Sequence, residues 1–300
     1  MRTDDDLHVW APLLYVPADR PGLRGILSGD RNLGVCCLAI CLEDAVRPAN
    51  RAAAASELSS ALQESHRLPR PVFVRPASVD MLDYLLETPG VDRLAGFIIP
   101  KATVSTITTW VERTCGLFRL LPILESREAL DPIGRRDLAE TCAAHRPLIP
   151  AARIGANDLF CLLGGLRRPE GRTIYETPVG FVIDSLIEAF CARGVGLCGP
   201  VFDRIDDFVT LKKEVEDDVS RGLYAKTAIT PAQVDHIWTG YMPSAREVIE
   251  AQRILETDAP AVFSIHGTML EPSCHSEWAR RLMVRSLIHT RWPSIDNQES

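Results

Sequence analysis

Short apolar runs that end in polar residues recur eight times between residues 13 and 226, separated by helical patterns. Residues 13–16 lead into Asp19 and Arg20, and residues 35–42 end at Glu43 and Asp44. Residues 72–74 end at Arg75, and residues 97–99 at Pro100 and Lys101. Residues 120–124 end at Glu125, while 152–154 lead through Gly155, Ala156 and Asn157 to Asp158. The last two runs, 195–197 and 223–225, lead to Asp203 and to Lys226. Runs this short, closed by polar residues, predict buried strands.

The intervening segments carry the other period. Phe208, Leu211, Val215 and Val219 make one apolar stripe with Gly222 as a stop. Val182, Leu186, Ile187 and Phe190 make another, ended by Gly194, and Ile107, Trp110 and Val111 a shorter one closed by Gly116. Strand followed by helix, repeated about eight times in ~230 residues, predicts an α/β fold of the (β/α)8 TIM-barrel type. A doubly wound open sheet is the competitor, but no G-x-G-x-x-G follows the first strand.

After Lys226 the pattern changes. Residues 227–234 read as a loop, and Ser244 with Glu247 three residues later forms a capping box. It opens a helix that presents Val248, Ala251 and Leu255 on one face. Asp258-Ala259-Pro260 breaks the chain, a short apolar segment spans 261–265, and a second helix runs from about Ser276 to Leu287. The expected organisation is a barrel over residues 1–240 and a C-terminal helical extension over 241–300. That extension is too short for a core of its own and is expected to pack on the barrel or on a neighbouring subunit. Residues 296–300 are expected to fray.

Composition narrows the function classes. The net charge of −7 argues against a nucleic-acid or anionic-membrane partner, which would require a basic face. No apolar stretch approaches the ~20 residues that span a bilayer. The N-terminus, with Asp4, Asp5 and Asp6 in a row, lacks the pattern of a signal peptide. Several of the nine cysteines sit in apolar runs, where a reduced Cys behaves as a small hydrophobe. No C-x2-C pair and no H-x3–5-H pattern occurs, which argues against a zinc site. A reduced, cytoplasmic enzyme is the expectation.

In a barrel the C-terminal strand ends converge on one face, where active sites sit. Asp19, Arg20, Glu43, Asp44, Arg75, Lys101, Glu125, Asp158, Asp203 and Lys226 are therefore expected around one mouth. Seven segments in order resemble the HpcH/HpaI aldolase and citrate lyase β-subunit superfamily, in its CitE-like branch. They are Leu14-Tyr15-Val16-Pro17-Ala18-Asp19-Arg20-Pro21, Leu42-Glu43-Asp44-Ala45-Val46, Val74-Arg75-Pro76, Ile99-Pro100-Lys101, Pro122-Ile123-Leu124-Glu125-Ser126, Gly155-Ala156-Asn157-Asp158-Leu159 and the stretch from Ala225 to Val234. The resemblance implies Mg2+-dependent cleavage or formation of a C–C bond next to a hydroxy acid's carboxylate. The usual substrates are malyl-, citramalyl- or citryl-CoA thioesters, split to a thioester and a keto acid. It places the metal on Glu125 and Asp158, a substrate-gripping arginine at Arg75 and a phosphate-contacting one at Arg51. It also implies a homo-oligomer, with a trimer favoured.

Chemistry supports that assignment. Mg2+ takes oxygen ligands and keeps positions open for water and substrate, so two carboxylates suffice. Arg75 can grip a carboxylate with two parallel hydrogen bonds or stabilise developing oxyanion charge. Glu43 and Asp44 either orient Arg75 and metal-bound water or cap a helix. Lys101 and Lys226 either bind substrate anions or pair with nearby acids, and Arg20 is a candidate substrate- or CoA-binding residue. Ser264-Ile265-His266-Gly267-Thr268-Met269-Leu270-Glu271 stands where the family often carries a C-terminal acid, so Glu271 is a candidate general acid/base, offered to a neighbouring subunit's mouth. His266 is a weaker candidate. Asn157 replaces a usual Glu, Ala18 a usual Gly and Thr230 a common His. Arg167, Arg168 and Arg172 add three arginines after the sixth strand, which either contact phosphate or form an exposed basic loop. The alternatives are a CoA-free aldolase acting on 2-keto acids, or a non-catalytic subunit on the same barrel.

Overall fold

Successive side chains of a strand point to opposite faces, and this alternation sorts every strand of the protein into a lumen side and a helix side. The computed structural model describes residues 12–291 except Asn32 and Tyr224. The Asp4–Asp6 run and the reading of residues 296–300 as frayed lie outside the described residues. In chain order the first half comprises β1 (Leu13–Pro17), α1 (Leu23–Ser28), β2 (Cys37–Cys41), α2 (Arg51–Glu64), β3 (Val72–Arg75), α3 (Val79–Leu86), β4 (Gly96–Ile99) and α4 (Val104–Arg113). There follow β5 (Arg119–Leu124), α5 (Arg127–Leu130), α6 (Pro132–Ala144), β6 (Ala151–Ile154), α7 (Ala156–Leu162), α8 (Pro178–Cys191), β7 (Gly196–Cys198), α9 (Phe208–Ser220), β8 (Thr227–Ala228) and α10 (Pro231–Tyr241).

All eight strands pair in parallel, and each lies beside its sequence neighbour. β1 also pairs with β8, and a bridge between Gly199 and Lys226 joins the two remaining edges. The sheet therefore closes into the expected (β/α)8 barrel. A doubly wound sheet would instead switch its strand order partway.

Two apolar cores follow from the alternation. Leu13, Cys37, Ala39, Phe73, Ile98, Leu121, Ile123, Ala151 and Cys198 meet inside the barrel. Leu14, Leu38, Val72, Phe97, Leu120, Ala152 and Leu197 point outward and pack with the helices. The helices begin where side chains satisfy their first N–H groups. Ser78 accepts from Met81 N, Thr103 from Thr106 N, Asp131 from Gly134 N and Asp207 from Thr210 N.

The eighth strand corrects an expectation. It lies at Thr227–Ala228 rather than at 223–225. The Leu223 N–H bonds Asp218 O and so ends α9 instead. Ala225 joins the lumen core, which turns Lys226 outward, away from the mouth. Lys226 is fully buried against α9, with its Nζ 3.1 Å from Glu214 and 2.8 Å from Asp218. Arg168 completes this cluster by pairing with Glu214 and, at 2.8 Å, with Asp203. Asp218 also accepts hydrogen bonds from Tyr175 and Tyr241. Arg168 and Asp203 thus act as a clamp between the loop after β6 and the outer face of the barrel, while Arg167 and Arg172 remain exposed.

Beyond Tyr241 come α11 (Ala245–Ile254), the antiparallel hairpin β9 (Phe263–Ile265) with β10 (Thr268–Leu270), and α12 (Pro272–Arg291). The Ser244–Glu247 capping box opens α11 as its spacing requires. Ala251, Ile254, Leu270, Ala279 and Leu282 form a small apolar cluster of this segment's own. It exists because α12, at 20 residues, lies along α11 and the hairpin contributes Leu270. The end of α12 reaches the barrel, where the His289 ring lies 3.9 Å from that of Trp238 on α10.

Removing the buried cation leaves Glu214 and Asp218 without their countercharge. Lys226→Ala is expected to destabilise the protein by about 3–5 kcal/mol in denaturant unfolding. An unchanged midpoint, with weakened binding of substrate anions, would return Lys226 to the mouth.

Candidate active site

Six of the ten expected residues do converge at the C-terminal ends of the strands. A cavity of about 350 Å³ opens there, and Tyr15, Arg75, Glu125, Arg153, Gly155 and Asp158 are among the residues that line it. Asp44 lies at its rim, and Lys101 reaches the same cluster through Glu43.

Glu43 organises one side. Two positions beyond Cys41 at the exit of β2, it is only 5% exposed. Its Oε1 lies 2.6 Å from Lys101 Nζ, and its Oε2 accepts from Asp44 N at 2.9 Å and pairs with Arg75 Nη2 at 3.2 Å. Arg75 Nη2 also lies 3.1 Å from Cys41 Sγ, and the guanidinium sits 4.9 Å from the centre of the Tyr15 ring. Its Nε is buried without a hydrogen-bond partner. The Lys101 ammonium is held above its ordinary range, because the hydrogen bond and charge of Glu43 outweigh its partial burial.

Glu125 organises the other side. It leaves β5 into the mouth and is also 5% exposed. Its Oε1 accepts the Lys101 backbone N–H at 2.9 Å, which Lys101 presents from a left-handed conformation with φ 47°. That conformation is uncommon for a residue with a side chain. Burial pushes the Glu125 carboxyl up to about 7, against the pull of the Lys101 N–H and with a contribution from the nearby negative charge of Asp158. Asp158 follows from the next strand exit, in the first turn of α7. Gly155 lets the two come together, since a Cβ there would overlap the Glu125 carboxylate. Two carboxylates that repel each other in a concave, half-buried site suit a hard divalent cation. Two carboxylates give an all-oxygen donor set of the Mg2+ kind, while among the described residues no group of three or more His, Cys, Asp or Glu is arranged to hold a metal as a structural zinc site would.

The remaining candidates lie elsewhere. Arg51, at the start of α2, donates its Nε to Val46 O at 3.3 Å and its Nη2 to Glu43 O at 3.1 Å, bracing the loop after β2. Asp19 and Arg20 line a separate cavity of about 400 Å³ beside α1 and α2. Glu271 belongs to the C-terminal segment, where it accepts a hydrogen bond from Ser273 Oγ at 2.7 Å, and is not among the residues lining the Glu125 cavity. His266 stands 3.5 Å from Glu250, also away from the cavity. Sequence reasoning passed over Arg153 and Tyr15. The signal was an arginine two residues before Gly155, and so on the same strand face, inside an otherwise apolar run.

Comparison with known proteins agrees with the barrel fold. Residues 10–290 match the model of the family described as C–C bond lyase of the TIM-barrel fold. Among curated proteins, the chain is 26% identical over 288 residues to a (3S)-malyl-CoA thioesterase of Cereibacter sphaeroides, covering 93% of this chain and 95% of that protein. It is 28% identical over 171 residues to the citrate lyase subunit beta of Escherichia coli, of which it spans about half, 53%. Among solved structures, CitE of Mycobacterium tuberculosis in complex with magnesium, acetoacetate and coenzyme A aligns with a TM-score of 0.69 at 24% identity, over 93% of this chain and 99% of that one. RipC of Yersinia pestis aligns at 0.63 and 23% identity, over 81% of this chain and 100% of that one.

Because Gly155 and Glu125 are in close contact, Gly155→Ala must displace the carboxylate or the strand exit. The expected loss is about 1–3 kcal/mol of stability. A crystal structure of the variant should show Glu125 detached from the Lys101 N–H; an unmoved Glu125 with wild-type stability would refute the packing argument.

Proposed function

Because the chain belongs to the C–C bond lyase family of the TIM-barrel fold, we propose that it is a Mg2+-dependent lyase that splits a hydroxyacyl thioester of the malyl-, citramalyl- or citryl-CoA kind into a thioester and a keto acid. The observation that carries this reading is the juxtaposition of Glu125, Asp158 and Arg75 around one cavity. The malyl-CoA and citrate lyase relatives support the substrate class. The magnesium and coenzyme A named for the M. tuberculosis CitE complex support the cofactor and the thioester.

Glu125 and Asp158 would hold Mg2+, which supplies Lewis-acid polarisation of the substrate's carboxylate and adjacent oxygen. Cleavage requires the substrate hydroxyl to lose its proton as the neighbouring C–C bond breaks. The electron pair passes to the thioester carbonyl as an enolate, which is then protonated at carbon. Arg75 is placed to grip the carboxylate or to stabilise this developing charge, and the Glu43 ion pair fixes its orientation. Lys101 holds Glu43 and Asp44 together and, through its backbone, positions Glu125. The proton-transfer role falls to Glu271 supplied by a neighbouring subunit of a homo-oligomer, since its own chain holds it outside the cavity. Asp44 at the rim is the in-chain alternative.

A second reading has one observation in its favour. Arg51, the residue proposed to contact the CoA phosphates, spends two donors on backbone carbonyls of its own chain. A CoA-free aldolase acting on a free 2-keto acid needs only Glu125, Asp158 and Arg75.

The deciding experiment incubates the protein with Mg2+ and malyl-, citramalyl- or citryl-CoA and measures keto-acid release with and without EDTA. EDTA-sensitive release that Asp158→Asn abolishes is expected. Release insensitive to EDTA and to Asp158→Asn removes the metal reading. Absence of release from any thioester, with Mg2+-dependent turnover of a free hydroxy-keto acid, selects the aldolase.

The raised pKa of Glu125 gives a second test. Relative to its ordinary value of 4.5, a folded value of about 7 means the native metal-free protein binds a proton that the unfolded chain releases. The stability from this group is therefore complete below 4.5 and lost as pH rises through about 7. Mg2+ needs the ionised carboxylate. The rise in Tm on adding Mg2+ should accordingly be larger at pH 8 than at pH 6, and an equal rise at both would exclude Glu125 as a ligand.

A further inference from the structure

Arg153 has no counterpart in the chemistry above. It is the third residue of β6, paired in register with Ile123 and therefore one layer below the level of Glu125 and Gly155. The alternation that carries Ala151 into the lumen carries Arg153 there too. Only 3% exposed, it lines the cavity from below, and its Nη1 is buried without a hydrogen-bond partner. No carboxylate of a described residue forms an ion pair with it. Tyr15, Cys37 and Cys198 feel its charge, and burial holds all three in their protonated, neutral forms.

A buried guanidinium with neither a countercharge nor a full set of acceptors is unfavourable to the folded chain, and proteins that retain one use it. The other arginine lining the cavity, Arg75, is balanced by Glu43 and stands at the mouth. Arg153 stands deeper and is unbalanced, so the missing negative charge is one that enters with a ligand. A planar fork of N–H donors matches a carboxylate.

We infer that Arg153 is a specificity-determining residue that receives a second carboxylate of the substrate at the floor of the cavity, so that the keto-acid half is a dicarboxylic acid. This inference rests on the proposed function, in which Glu125, Asp158 and Arg75 hold the keto-acid end at the mouth. The ligand then spans the cavity between two cationic sites. A keto acid whose far end is a methyl group leaves Arg153 unpaired and binds less well.

The test is calorimetric binding to the full-length protein with Mg2+, using keto acids of equal chain length that differ at the far end: oxaloacetate against 2-oxobutyrate, and 2-oxoglutarate against 2-oxovalerate. The wild type is expected to bind at least one dicarboxylic member about tenfold or more tightly than its matched monocarboxylate, as a charged hydrogen-bonded contact provides. Arg153→Met should bring that ratio toward one, Arg153→Lys should keep part of it, and Arg153→Met should raise the ligand-free Tm by removing an unpaired buried cation. A residue with a merely structural role would lower Tm and leave the ratio alone. A ratio near one in the wild type, or a ratio unchanged in Arg153→Met, overturns the inference while Mg2+-dependent binding that Asp158→Asn abolishes leaves the metal site standing. Failure of every keto acid to bind with Mg2+ overturns the mouth assignment and this inference together.

Discussion

The closure of eight parallel strands is the constraint on which everything else in the molecule depends. In a closed sheet of period two, each residue is committed either to the lumen or to the helix layer. A charge that falls on a strand is therefore placed by parity, with little freedom to choose its surroundings. Arg75, Glu125 and Arg153 fall on the inner parity and meet around one cavity. Lys226 falls on the outer parity, and α9 must supply carboxylates for it. The same rule thus builds a site of unsatisfied charge inside the barrel and a fully paired one outside.

The two clusters differ in the way that separates function from structure. Beneath α9, Arg168, Lys226, Glu214 and Asp218 satisfy one another out of contact with solvent, with two tyrosine hydroxyls completing the set. Such a network adds geometric specificity to the packing and has little to offer a ligand. Inside the barrel the charges stay open: two carboxylates face each other, and among the described residues Arg75 Nε has no hydrogen-bond partner and Arg153 no ion-pair partner. Strain gathers at the same place, with Lys101 held left-handed so that its N–H can reach Glu125. Sites that bind and turn over ligands characteristically retain such imbalances.

Much of this was legible in the sequence because short apolar runs and their polar ends are local signals. The first seven strands fall within two residues of the runs that announce them, and Glu43, Arg75, Lys101, Glu125 and Asp158 gather as strand ends of a barrel must. The misses are non-local. Leu223 looks like a strand residue, but its N–H closes α9. Lys226 looks like a mouth residue until the lumen position of Ala225 fixes its parity. Arg168 looks like part of an exposed basic loop because its partners, Asp203 and Glu214, lie 35 and 46 residues away. Arg153 was hidden by its neighbours, since one charge in Ala-Ala-Arg-Ile does not erase the strand pattern.

The clamp beneath α9 also bears on how proteins of this shape exchange parts. Arg168 belongs to the loop after α7, Glu214 and Asp218 to α9, three elements later, and Lys226 immediately precedes the last strand. A recombination event, natural or engineered, that separates the loop from the helix would leave a buried ion facing an unsuitable partner. The stretch from Arg168 to Tyr241, which holds every member of this network, is thus the block that keeps it intact. Diversity in the Arg168 loop is therefore expected to travel with α9 behind it.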